Sequence, residues 1–312
     1  MFRRYTLDEV KRKIINSLQD NVTGLSGVEL ASTTGINRMT LTKYLNILAT
    51  MRLIKKKKVG SINVWFVEPG MVDYEFPVNY LEIQQKFMNA IVLGDGNQAR
   101  NILISVINSN IDLLRILTDI IIPTVNTVNE LYNRGRLGKT ERIHLLNLIL
   151  ELIDLLKFTF QSGSSKRDAY SLFVAASEDR VYHAKIGALA LQILGFKTLY
   201  IGNVEQHIDP FFDIDFQRYI MKLWDNNKGL LIICIYSSEE ASLRFLYAAT
   251  RTIKTKLKAD VRIVLFTTPE LRNPMESLGT DYVANDLTSL IDWVEGEYRH
   301  LMDKKSLNLP RI

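Results

Sequence analysis

The 312-residue chain contains one cysteine, Cys234. A lone thiol closes no intrachain disulfide, and no Cys or His cluster surrounds it, so a secreted disulfide scaffold and a zinc-finger module are both excluded. No window reaches the roughly 18 uncharged apolar residues of a membrane span, and the opening MFRRYTLDEVKRK has no apolar signal stretch. The expectation is a cytoplasmic protein without a membrane partner. No Gly-x-Gly-x-x-Gly turn follows the early strands of the C-terminal half, and no phosphate-binding loop or nucleophile elbow occurs, which removes the main support for a nucleotide enzyme. The acid pair Glu239-Glu240 stands at a helix start, where the positive end of the helix dipole accounts for it. No enzymatic activity is expected.

What is present is ordinary in bulk and uneven in distribution. Hydrophobic residues make up 47% and charged residues 23%, so a disordered chain is excluded and the length predicts two or three domains. Residues 1–70 hold 12 Lys+Arg against 5 Asp+Glu, while the net charge of the whole chain is only +5. The basic excess is thus confined to the first fifth, as for a module that meets an acidic polymer.

In that fifth, Leu7, Val10, Ile14, Ile15 and Leu18 repeat at helical spacing. Ser26 with Glu29 has capping-box spacing for a second helix, and Asn37 can cap a third running to Met51, with Met39, Leu41, Leu45, Leu48 and Ala49 available for its buried side. LIKKKKVGSINVWFVEP then reads as a hairpin turning at Gly60-Ser61, with Val59, Ile62, Val64 and Phe66 as apolar members. Arg38, Thr40, Thr42 and Lys43 fall in the N-terminal half of the third helix, where short polar and basic side chains reach base edges and phosphates. Lys55, Lys56, Lys57 and Lys58 fall on or beside the hairpin, suited to backbone phosphates. These seventy residues resemble the winged helix-turn-helix domain of bacterial and archaeal transcription regulators. The resemblance implies double-stranded DNA as partner, and a homodimer or higher homo-oligomer, since one such module reads few base pairs.

EPGMVDYEFPVN reads as a linker, and residues 78–160 as a four-helix bundle: Tyr80 to Leu93, Gly96 to Val106, Ile111 to Asn133 and Lys139 to Phe160. Pro123 should kink or restart the third stretch. IVLGDGNQARNIL and IIPTVNTVNELYNRGRLGKTERIH resemble the helical cap of cobalamin-binding modules, as in light-responsive cobalamin repressors. On that resemblance Tyr132 stands where the family has a Trp over the corrin, and Arg142 and Ile143 stand at a Glu-His pair, with His144 one residue late.

After the polar linker 161–168, continuous apolar runs alternate with helices: AYSLFVAAS, KTLYIG, GLLIICIYS, VRIVLFTT and DYVAN. Residues 168–305 therefore predict a five-stranded parallel doubly wound, flavodoxin-like domain, with any ligand outside the carboxyl ends of the strands. SEDRVYHAKIGALALQILGFKTLYIG is similar to the cobalamin domain of the same family. That similarity puts Glu178 at the family's acid, Arg180 at its cobalt-ligating His and His183 at its Gly. It puts Ser237-Ser238 at a Ser, and Thr267-Thr268 at a Gly pair, that admit the cofactor's nucleotide tail. Arginine offers no lone pair to a metal. His183 and His207 lie on or near the ligand face but read as structural or surface histidines, Cys234 as a buried inert thiol, and Trp224 and Trp293 as core residues.

The expected architecture is a multidomain α/β chain: winged helix, four-helix bundle, doubly wound domain. The expected function is DNA-binding transcription regulation. Its cobalamin-sensor-like half is expected to hold no cofactor or metal and to serve assembly, or a small-molecule or protein effector. The candidate ligand crevice comprises Tyr132, Arg142, Glu178, Arg180, His183, Ser237, Ser238, Thr267 and Thr268. The alternative is a corrinoid-binding photoreceptor or methyl-transfer carrier.

Overall fold

The computed structural model describes residues 6–19, 21, 23–51, 53–67, 80–109, 111–159, 166, 168–208, 211–224, 229–257 and 260–307. Residues 68–79 and most of 161–168, the expected linkers, lie outside them. The chain divides into two compact units, Met1–Asp112 and Leu113–Ile312.

The first unit runs α1 (Leu7–Gln19), β1 (Leu25–Ser26), α2 (Gly27–Thr34), α3 (Arg38–Thr50), β2 (Lys55–Val59), β3 (Ile62–Phe66), α4 (Tyr80–Val92) and α5 (Gly96–Asn108). The capping box forms as its spacing predicts: Glu29 N donates to Ser26 Oγ at 3.3 Å and Ser26 N donates to Glu29 Oε2 at 2.7 Å. Asn37 caps α3 by accepting from Met39 N. Val10, Ile14 and Leu18 of α1, Leu30 of α2, and Leu41, Leu45 and Leu48 of α3 close one core with Trp65 of β3. Met39 is not part of it; at 86% exposure it faces solvent on the other side of α3. The strands form an antiparallel sheet in the order β1-β3-β2. Gly24 lets the chain enter β1: its φ is +83°, and a Cβ there would stand 2.7 Å from the Trp65 carbonyl oxygen. Helices α4 and α5 pack on each other, with Ile83, Phe87 and Ile91 meeting solvent nowhere, like Ala99 and Val106.

The second unit opens with one helical rod in three parts: α6 (Leu113–Ile116), a π-helical turn (Leu117–Ile121) and α7 (Ile122–Asn133). Pro123, which lacks an N–H, stands in the first turn of α7, where the widened turn hands over to regular helix. Next come α8 (Lys139–Thr159), β4 (Ala169–Ala175), α9 (Val181–Ile193), β5 (Lys197–Asn203), α10 (Phe212–Leu223), β6 (Leu230–Tyr236), α11 (Glu240–Lys256), β7 (Asp260–Phe266), α12 (Arg272–Glu276), β8 (Tyr282–Ala284) and α13 (Leu287–Leu307). The expected five-stranded parallel sheet is present, in the order β5-β4-β6-β7-β8. Helices α9 and α13 cover one face and α10 and α11 the other. Both faces are covered, which is why β4 and β6 are almost uninterrupted apolar runs. Trp224 packs edge-on against Tyr170 at 4.8 Å between ring centres, a core role as its pattern predicts.

The chain leaves β4 toward β5 on one side and later returns to β6 on the other. That reversal of direction opens a crevice at the carboxyl ends of β4 and β6. Among the described residues no helix is long and apolar enough to cross a membrane.

Candidate functional site

The crevice at this edge has a volume of about 620 Å3. Its walls come from segments far apart in sequence: Thr118, Ile122 and Asn126 on the α6–α7 rod, Arg180, His183 and Ile186 at the start of α9, and Asn285 to Thr288 at the start of α13. The floor is aromatic. Tyr236 ends β6 and Phe266 ends β7, and the two rings stack at 4.5 Å with 14° between planes. His183 lies over Phe266 at 6.3 Å and 27°, and on the far side Phe173 of β4 meets Tyr236 at 6.0 Å. The size and mixed lining are those of a small-molecule site.

His183 is the chemically distinctive group. Burial is the main influence on its imidazole and the Arg180 guanidinium adds to it; together they outweigh Asp179 and lower its pKa to about 4. At neutral pH the ring is therefore uncharged and keeps one nitrogen lone pair. Its Nδ1 is buried and makes no hydrogen bond of good geometry among the described residues, although the Asp179 backbone, one turn back, acts on the ring as a weak hydrogen-bond partner. Because Nδ1 has almost no accessible surface, a ligand in the cavity can meet the ring only along its other edge.

The other sequence-predicted crevice residues divide sharply. Arg180 lines the cavity, with Nε 3.2 Å from Asp179 Oδ2. Glu178 shares its 3-10 turn but is exposed and outside the cavity wall. Ser237 is fully buried and already engaged: Oγ donates to the Ala176 carbonyl at 3.2 Å and accepts from Glu239 N at 3.0 Å. Ser238 binds back to the β4 loop, donating through Oγ to Asp179 Oδ1 at 2.7 Å and through N to Ser177 Oγ. Thr267 is buried with its hydroxyl unpartnered among the described residues, and Thr268 precedes a 3-10 turn. Tyr132 and Arg142 are held by each other, the guanidinium lying 5.0 Å over the ring while Nε donates to Asn129. Neither lines the cavity; the helical rod instead offers Thr118, Ile122 and Asn126, one turn apart on a single face. That four-residue spacing was the signal available in sequence. His207 is exposed on a short turn before α10, away from this crevice. Cys234 is fully buried, and burial raises its thiol pKa far above the ordinary value.

In the first unit, Arg38, Thr42 and Lys43 are exposed on α3 and Thr40 is half-buried. The Thr42 hydroxyl donates to the Arg38 carbonyl one turn back at 2.8 Å. Lys55, Lys56, Lys57 and Lys58 occupy β2, exposed along its whole length, with Lys56 Nζ 5.5 Å over the Trp65 ring. Val59 and Ile62 at the hairpin tip are each 55% exposed.

Residues 83–157 match the B12 binding domain family. No curated protein sequence matches the chain. Among solved structures, the monomethylamine corrinoid protein of Methanosarcina barkeri is similar at 15% identity, over 67% of this chain and 95% of that one, with a TM-score of 0.53. A cobalamin-binding protein from Desulfitobacterium hafniense aligns over 69% of this chain and 97% of that one, at 14% identity and a TM-score of 0.35. The methanol:cobalamin methyltransferase complex of M. barkeri covers 85% and 93%, at 13% identity and 0.33.

These findings overturn the expectation of a chain without a cofactor: the family match points to cobalamin. Arg180 cannot ligate a metal, but one turn later the uncharged imidazole of His183 stands in the cavity wall. The chain thus carries a cobalamin-binding-like module with the parallel-sheet fold of a corrinoid protein.

Proposed function

We propose that the chain is a corrinoid-binding protein, acting as a carrier or sensor rather than an enzyme, with the cofactor in the crevice at the carboxyl edge of the sheet. The observation that carries this reading is the uncharged imidazole of His183 in the cavity wall. The residues fit the group. His183 is the nitrogen donor suited to cobalt, and Ile122, Ile186, Tyr236 and Phe266 make the surrounding wall largely apolar. Asn126, Asn285 and Thr288 offer hydrogen bonds to amide groups at its rim. A bound corrinoid supplies a cobalt centre that takes up and releases an alkyl group. The protein's part is to orient that centre and exclude water from one side. Titration of the purified full chain with aquacobinamide and with hydroxocobalamin should give a one-to-one change in the visible spectrum with at least one of them, and His183→Ala should abolish the part that depends on the imidazole. No spectral change with either corrinoid would refute the reading.

A second reading concerns the first unit and is favoured by the fully exposed four-lysine strand β2. We propose that residues 1–70 are a winged helix that binds duplex DNA, with α3 in the major groove and the β2–β3 hairpin on flanking phosphates, and that the chain acts as a dimer on paired half-sites. Changing Lys55, Lys56, Lys57 and Lys58 together to Ala should flatten the salt dependence of DNA affinity. Each lost phosphate contact removes about 0.9 from the slope of log K against log salt. An unchanged slope would remove the hairpin from the interface. Light scattering with and without DNA tests the dimer, and a monomer in both would refute it.

A further inference from the structure

The crevice has a closed aromatic floor. A complete corrinoid is a flat macrocycle with a nucleotide tail, and the tail has to go somewhere when a protein imidazole takes the lower face of the metal. Here the layer beneath the crevice is solid. The rings of Phe173, Tyr236 and Phe266 run in series from β4 through β6 to β7, with exposures of 0%, 1% and 5%. Helix α9 lies directly on this layer through Gly187, where even a methyl group would come within 2.5 Å of Tyr236 Oη and 2.8 Å of Phe173 Cε1. Ser237, at the edge of the same layer, is closed off by its bonds to the Ala176 carbonyl and Glu239 N, and Thr267 is 2% exposed.

Building on the corrinoid reading, we infer that the crevice selects a corrinoid whose nucleotide tail is absent or left outside the protein, a cobinamide-class ligand, because the Phe173–Tyr236–Phe266 layer fills the space beneath the ring. Selection works by exclusion: three packed rings do not part for a heterocycle without losing their mutual contacts and those with α9. The lower face of a cobinamide is free for His183, whereas cobalamin must first detach its own base and then leave it in solvent.

The test compares the two probes on the full-length protein. Aquacobinamide should bind at least about tenfold more tightly than hydroxocobalamin, equivalent to roughly 1.4 kcal/mol. Only cobinamide should give the spectrum of a metal with protein nitrogen below. Opening the floor with Tyr236→Ala should narrow the preference. Should that variant fail to fold, the comparison on the unaltered protein still decides. Hydroxocobalamin bound as tightly as cobinamide, with its base detached and the His183-dependent spectrum, would overturn the inference while leaving the corrinoid reading intact. Failure of both probes would overturn both.

Discussion

Replacing Gly187 by alanine sets two effects of opposite sign against each other. In a helix interior the change favours folding by about 1 kcal/mol, because glycine has more backbone freedom to lose. At this position the new methyl group would stand 2.5 Å from Tyr236 Oη and 2.8 Å from Phe173 Cε1. Neither ring can retreat, since Tyr236 is stacked on Phe266 at 4.5 Å and Phe173 has no exposed surface. Overpacking of this kind costs about 1–3 kcal/mol, so the expected net effect is a destabilisation of about 1 kcal/mol. Tyr236→Phe supplies the control. It removes the nearest atom, and with it a buried hydroxyl that has no partner among the described residues and whose desolvation costs about 1–3 kcal/mol. Tyr236→Phe alone should therefore stabilise the second unit, and in its background Gly187→Ala should cost at least about 1 kcal/mol less than in the parent. Urea unfolding followed by fluorescence measures this, with Trp65→Phe in every variant so that Trp224 and Trp293, both in the second unit, report alone. A Gly187→Ala protein more stable than its parent, or strictly additive effects in the double variant, would show that the aromatic layer has room to yield.

His183 is uncharged in the folded chain with a pKa near 4, against about 6.5 unfolded, so the unfolded state takes up a proton first as pH falls. The stability tied to this ring is complete above pH 6.5 and is lost between about 6.5 and 4, by up to about 3 kcal/mol; His183→Phe should flatten that window in a pH series of urea midpoints. Cys234, buried with its pKa raised, should resist a thiol-specific reagent until the unit unfolds, and labelling at the rate of a free thiol would place it at the surface. Asp281→Ala should cost about 1–3 kcal/mol, because Asp281 takes Lys254 Nζ on both oxygens at 2.6 and 2.7 Å and also accepts from Ile263 N at 2.8 Å; an unchanged urea midpoint would refute this.

The residue pattern by itself determined the elements. The apolar runs of β4 and β6 are long enough to be strands and too continuous for a solvated face, so they predict a parallel sheet with helices on both sides. Ser26 with Glu29, Asn37 and Pro123 mark helix starts through chemistry that acts within one turn, and each does so in the structure. Side-chain facing was less legible. Met39 has the apolar character of a core residue, but α3 is turned so that Leu41, Leu45 and Leu48 take the core and Met39 meets solvent.

Only the tertiary structure decided which residues meet at the crevice. Thr118, His183, Phe266 and Asn285 are separated by tens of residues and brought together by the strand order, which no local pattern encodes. Aligning residue types along α9 placed Arg180 where a ligand was sought. The chain instead passes through a 3-10 turn at Glu178–Arg180, with three residues per turn, before α9 begins, and His183 is the imidazole that lines the cavity. Its charge state was equally out of reach, because burial and the neighbouring guanidinium set it, and both exist only once the chain has folded. The same holds for the aromatic floor. Phe173, Tyr236 and Phe266 stand in three separate apolar runs of the sequence, and the register of β4, β6 and β7 is what brings them into one closed layer.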